Sequence, residues 1–114
     1  MPDVTIYHNP RCATSRKALE LLRKRGIEPH VVEYLKTPPD KAALMRLLKM
    51  LGLKPRQLLR KKEAKEAGLD KPALSDAQIV AGMEKHPIVI ERPIVVKGGR
   101  AVLGRPPEAV LKLL

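Results

Sequence analysis

The chain has 114 residues, 44% of them hydrophobic, with 23 Lys and Arg against 12 Asp and Glu for a net charge of +11. That length suits one domain with a single modest core, expected here over residues 1–114. Aromatic residues stop at Tyr7 and Tyr34, with no Phe or Trp, so base stacking of the kind single-stranded nucleic-acid binders use has almost nothing to work with.

A single cysteine excludes an internal disulfide framework and fits a reducing cytosol. Met1-Pro2-Asp3 leads straight into a strand pattern, without the basic and apolar regions of a leader peptide. No run approaches the roughly 18 apolar residues of a membrane span. The expectation is a soluble, cytoplasmic chain with no membrane partner. The positive charge could attract nucleic acid or acidic membrane, steer a small anionic substrate, or only reflect a lineage rich in Lys and Arg. Charge alone does not choose among these.

Residues 3–7 alternate as a buried strand, and residues 12–25 follow as a helix with Gly26 placed as its C-terminal cap. Val31, Val32 and Tyr34 suggest a second strand, so the first third reads as a β-α-β unit, whose crossover helix usually joins parallel strands. Thr37-Pro38-Pro39-Asp40 opens a helix to Leu51, with a candidate N-cap, a proline in the first position and an early acid. Its Leu44, Leu47, Leu48 and Leu51 share one face, and Gly52 ends it. Pro55–Arg60 suggests a short helix, and the charged run from Arg60 to Gly68 follows. Lys and Arg alternate there with Glu63 and Glu66 at helical spacing, which reads as a solvated helix face rather than a phosphate patch. Ser75-Asp76-Ala77-Gln78 has the capping-box pattern and should start a helix to about Lys85. Ile88-Val89-Ile90 and Ile94-Val95-Val96 are β-branched runs. Gly98-Gly99 between Lys97 and Arg100 reads as a hairpin turn into Ala101-Val102-Leu103, and Pro107 begins a short C-terminal helix. The order is β-α-β, a helical block over about 38–85, then β-β-α. Without the block this is the arrangement of a thioredoxin-like domain, so the expected class is α/β, thioredoxin-like (glutaredoxin-like), with an inserted helical block.

Cys12 falls at the strand-to-helix turn, where unpaired N–H groups and the helix dipole favour an anion. Arg11, Arg16 and His8 add positive charge, which lowers a thiol's pKa. A lone cysteine is often a buried small hydrophobe, but position 12 joins no apolar period and its neighbours are polar or charged. Other cysteine chemistries fit poorly. Arg16 follows at four residues and Ala18 stands where a phosphatase loop needs arginine. A papain-like site needs a larger fold. One cysteine and the scattered His8, His30 and His86 give no metal site, and Ser15 removes a C-x-x-C pair. His8 could act as base, charge partner or hydrogen-bonding support. Arg60 ends the Leu58-Leu59 patch, while Arg92 and Arg105 each precede a proline. Their forked donors match a tetrahedral oxyanion, and a proline at such a junction can be cis.

The segment from Tyr7 through Cys12 to Arg16, Leu58-Leu59-Arg60, the stretch from His86 through Arg92-Pro93 to Val96, and Gly104-Arg105-Pro106-Pro107 resemble the glutaredoxin-linked arsenate reductases of the ArsC family. The resemblance runs end to end in matching order. It implies a thioredoxin-like fold with a helical insertion, Cys12 as catalytic nucleophile, and Arg60, Arg92 and Arg105 as holders of arsenate or a similar oxyanion. His8 matches the family's histidine near the cysteine, Pro93 its cis-proline, and Arg16 supports the turn. It further implies no bound cofactor, with glutathione and glutaredoxin as reducing partners. Ala13 stands where some members carry glycine. The superfamily also holds Spx-type regulators that bind RNA polymerase. An ArsC/Spx-like interaction protein without reductase activity is therefore the alternative reading, although Ser15 lacks the redox switch some of those regulators use. Direct nucleic-acid binding is the third and weakest reading.

Overall fold

A computed structural model describes residues 3–114; Met1 and Pro2, which begin the expected domain and leader-free terminus, lie outside the described residues. The described chain forms two compact units, one built from residues up to Thr37 together with Arg92–Leu114, the other from Pro38–Glu91.

The first unit is organised by strand β1 (Val4–His8), whose alternate residues Val4, Ile6 and His8 are buried. Helix α1 (Ala13–Lys24) follows and buries Ser15, Ala18, Leu19 and Leu22 on one face. Gly26, at φ 77°, takes the left-handed conformation just past the helix end, where a side chain would be strained. Strand β2 (His30–Glu33) pairs parallel with β1, in the register Ile6 to Val31. Strands β3 (Ile94–Lys97) and β4 (Arg100–Leu103) form the expected hairpin, and β3 pairs antiparallel with β1. The four strands lie in the order β2-β1-β3-β4. The expected short C-terminal helix is a 3-10 segment, Pro107–Leu113. Val4, Ile6, Ala18, Leu19, Leu22, Val95, Val110 and Leu113 make the core of this unit. Each large aliphatic side chain fully buried there contributes about 1.5–3 kcal/mol. With no Phe or Trp in the chain, close aliphatic packing has to supply this stabilisation.

The second unit interrupts the sequence between β2 and β3. Helix α2 (Lys41–Leu51) is capped by Asp40, whose side chain accepts from the Ala43 N–H, and not from the Thr37-Pro38 step the sequence suggested. A 3-10 turn at Pro55–Leu58 and the short helix α3 (Lys61–Glu66) follow. Helix α4 (Asp76–Lys85) starts on the expected Ser75–Gln78 capping box. The unit continues past α4 to Glu91. The cause is local: Pro87–Val89 forms a 3-10 turn instead of a strand. Its exit is tied back by Arg60 N–H to Val89 O at 2.8 Å and Glu91 N–H to Leu58 O at 2.8 Å. Proline fixes φ and supplies no N–H, so a turn suits Pro87 better than a ladder does. No helix among the described residues is long and apolar enough to cross a membrane.

Candidate active site

Between the end of β1 and the start of α1, residues 9–12 form a tight turn whose backbone donors are all spoken for. The Cys12 N–H donates to Asn9 O at 3.0 Å. The Arg11 N–H donates to Asn9 Oδ1 at 3.0 Å, and the Asn9 N–H to Ser15 Oγ at 3.1 Å. Pro10 has no N–H, and its carbonyl accepts from Arg16 Nη1 at 2.9 Å. Asn9 and Ser15 are buried. Cys12 itself is the N-cap of α1, with extended backbone at φ −92° and ψ 121°, and its thiol is partly exposed. Cys12 therefore stands at the helix end whose first N–H groups no helical carbonyl can reach, and its side chain makes no capping hydrogen bond.

The Cys12 thiol is held below its ordinary range. Burial pushes it up, but the Ser15 N–H, the Arg92 side chain, the Thr14 N–H and the charge of Arg105 together outweigh burial. The sequence placed the activating charge on Arg11, Arg16 and His8. The structure brings it from the far end of the chain instead. Arg105 donates from Nη2 to Cys12 Sγ at 3.6 Å and from Nε to Arg92 O at 2.9 Å. One guanidinium thus addresses the thiol while anchored to the backbone beside Pro93. Arg92 is 6% exposed, and the Arg92–Pro93 and Arg105–Pro106 bonds are both cis. Gly104 makes the close approach of these two segments workable: its N–H donates to Pro93 O at 2.8 Å. A Cβ on Gly104 would come within 2.7 Å of Pro93 Cγ and 3.0 Å of Val110 Cγ1.

His8 is drawn into the turn as a support. Its Nδ1 lies 2.6 Å from Ser15 Oγ. Because that hydroxyl already accepts from Asn9 N–H, its own proton can serve a neutral imidazole. Burial lowers the His8 pKa, opposed by Glu33 and assisted by Arg23 and Arg16, so the neutral form is favoured. Arg60 belongs to the second unit, where Nη1 meets Glu91 Oε1 at 2.8 Å and Nε meets Glu63 Oε2 at 3.4 Å. Burial opposes its charge, but Glu91 and Glu63 raise its pKa further. The structure thus joins Cys12, Arg92, Arg105, Pro93, His8 and Arg16 in one unit. Asn9 and Ser15 were the contributors the sequence reading passed over. The Asn9-Pro10 step, a recognised turn initiator, was the available signal for the first.

The ArsC family profile matches residues 7–113. The uncharacterized protein YfgD of Escherichia coli K12 is 50% identical, across 98% of this chain and 97% of its own length. An arsenate reductase of Escherichia coli is 47% identical, across all of this chain and 82% of its own. The solved structure of an arsenate reductase from Vibrio cholerae matches with a TM-score of 0.93 at 49% identity, covering 97% of each chain. The fold is thioredoxin-like, as it is in these neighbours.

Proposed function

The chain belongs to the ArsC family, and on that premise we propose that it is an arsenate reductase with Cys12 as its nucleophile and glutathione with glutaredoxin as its reductant. The observation that carries this reading is the convergence of Arg105, at 3.6 Å, and Arg92 on a thiol at the N-terminus of α1. A thiolate there is ready to attack, and the same positive surroundings suit an oxyanion.

The Cys12 sulfur attacks arsenic, an As–S bond forms, and one As–O bond breaks. The departing hydroxyl leaves as water with a proton from solvent, and arsenic stays pentavalent. An external thiol then attacks Cys12 Sγ. The As–S electron pair remains on arsenic, which is reduced to the trivalent state and leaves as arsenite. Cys12 is left in a mixed disulfide, so two thiols have supplied the two electrons. The chain holds one cysteine, so the second thiol comes from outside; glutathione fills that place, and a glutaredoxin thiolate attacks its sulfur to regenerate Cys12. The cytosol, which keeps such thiols reduced, is the compartment this chemistry calls for. The family resemblance also gives Arg60 to the oxyanion. On that assignment Arg60→Ala raises KM for arsenate by about tenfold, the equivalent of about 1.4 kcal/mol, and an unchanged KM removes Arg60 from the set.

The assay is arsenate-dependent oxidation of reduced nicotinamide cofactor, coupled through glutathione reductase, glutathione and glutaredoxin. Turnover by the native chain and none by Cys12→Ser supports the proposal. No turnover by folded native chain removes the arsenate assignment.

A further inference from the structure

We propose that Asn9 is a positioning residue of the nucleophile turn, whose side chain helps to fix Cys12 at the N-terminus of α1. The inference rests on reading Cys12 as the nucleophile, and it concerns how the thiol is held rather than what it attacks. Four residues, 9–12, must turn the chain from the end of β1 into α1, and they carry three backbone N–H donors because Pro10 has none. Two of the three end on Asn9: Cys12 N–H on its carbonyl and Arg11 N–H on its side-chain Oδ1, both at 3.0 Å. The third is the Asn9 N–H itself, which reaches into the first turn of α1 to Ser15 Oγ at 3.1 Å.

Asn9 therefore uses its donor, its carbonyl and its side chain in one construction, and it is 4% exposed. The Asx-type bond from Oδ1 to the N–H two residues on is the device that lets asparagine start a turn. Its consequence here is directional. With the Cys12 N–H turned inward to Asn9 O, the Cys12 sulfur is left where Arg105 Nη2 reaches it at 3.6 Å, and the Thr14 and Ser15 N–H groups of the same helix end help to hold its pKa down. An alanine at position 9 keeps the two backbone bonds but strands the Arg11 N–H in a part-buried place. The turn then gains freedom about Pro10 and Arg11, and Cys12 spends time with its sulfur off those donors. Asn9 touches no substrate in this account and acts only through Cys12.

The test is the pH dependence of Cys12 alkylation by iodoacetamide in the full chain, with circular dichroism confirming the fold. Asn9→Ala should lower the alkylation rate near neutral pH by about tenfold, with the midpoint moved up towards an ordinary thiol. Asn9→Ser, whose hydroxyl can make the same type of turn more weakly, should restore most of the rate. A folded Asn9→Ala with the native profile overturns the proposal, as does an Asn9→Ser no better than Ala. Should Asn9→Ala fail to fold, hydrogen exchange on the native chain decides. The Arg11 amide should be protected about tenfold or more over an unbonded loop amide, and unprotected exchange overturns the assignment. None of these readouts uses arsenate, so they stand or fall separately from the reductase reading.

Discussion

Replacing Arg105 by glutamine should raise the pKa of Cys12 by about one unit. The charge lies 3.6 Å from the sulfur, where unit charges interact by about 1.2 kcal/mol at the dielectric constant of water and by several-fold more in a buried site. Cys12 is partly exposed and Arg105 largely so, which places the pair near the lower figure. One pKa unit corresponds to about 1.4 kcal/mol. The sign follows from the chemistry: a cation stabilises the thiolate, so its removal favours the protonated thiol. Arg105→Lys keeps the charge but loses the fork that bonds Cys12 and the Arg92 carbonyl together, and it should recover part of the shift. Alkylation rate against pH gives the midpoint of each variant, and thiolate absorbance near 240 nm gives it independently. Because the pair is solvent-accessible, the shift should shrink in high salt. A folded Arg105→Gln whose midpoint stays within about 0.2 unit of native would refute the claim that this arginine activates the thiol.

Ser15→Ala removes a hydroxyl, fully buried, that serves both Asn9 N–H and His8 Nδ1, and it should cost about 1–3 kcal/mol of stability in urea unfolding; a loss below about 0.5 kcal/mol would contradict the hub role. Cys12 also ties stability to pH. Its folded pKa is depressed, so between that midpoint and the ordinary thiol range near about 8.5 the unfolded chain binds more protons. Stability should therefore rise with pH through this window, be fully present above it, and be lost as pH falls through the depressed midpoint. Cys12→Ser should lack this rise when the two chains are unfolded in urea across the same pH range, and parallel curves would contradict it.

Much of the fold was legible because its signals are short-range. The Ser75–Gln78 box, the glycines after α1 and α2, and the Gly98-Gly99 turn each act within a few residues, and each does what the sequence suggested. Errors arose where two local signals competed. Thr37 and Asp40 were both fit to cap α2, and only the side-chain bond to Ala43 decides for Asp40. Ile88-Val89-Ile90 looks like a strand, but Pro87 sets a 3-10 turn, and only an isolated bridge between Leu59 and Ile90 survives.

The site was legible in a different way. Cys12 announced itself through its neighbours, whereas Arg92 and Arg105 stood among 23 basic residues and were marked mainly by family resemblance. No local pattern carries the fact that β3 and the segment after β4 bring them to the thiol. Asn9 and Ser15 were missed for the opposite reason. Their bonds are local, but they depend on side-chain directions within a single turn, which a one-letter sequence does not display.

The central claim, that one cysteine reduces arsenate with a borrowed thiol, is met most directly by measuring arsenite itself. Arsenate is incubated with the chain, glutathione and glutaredoxin, and the arsenic species are separated and counted. The account predicts one arsenite for each disulfide formed, and none at all when the external thiols are withheld or when Cys12 is replaced by serine. Arsenite released by Cys12→Ser, or any release without external thiol, would contradict it.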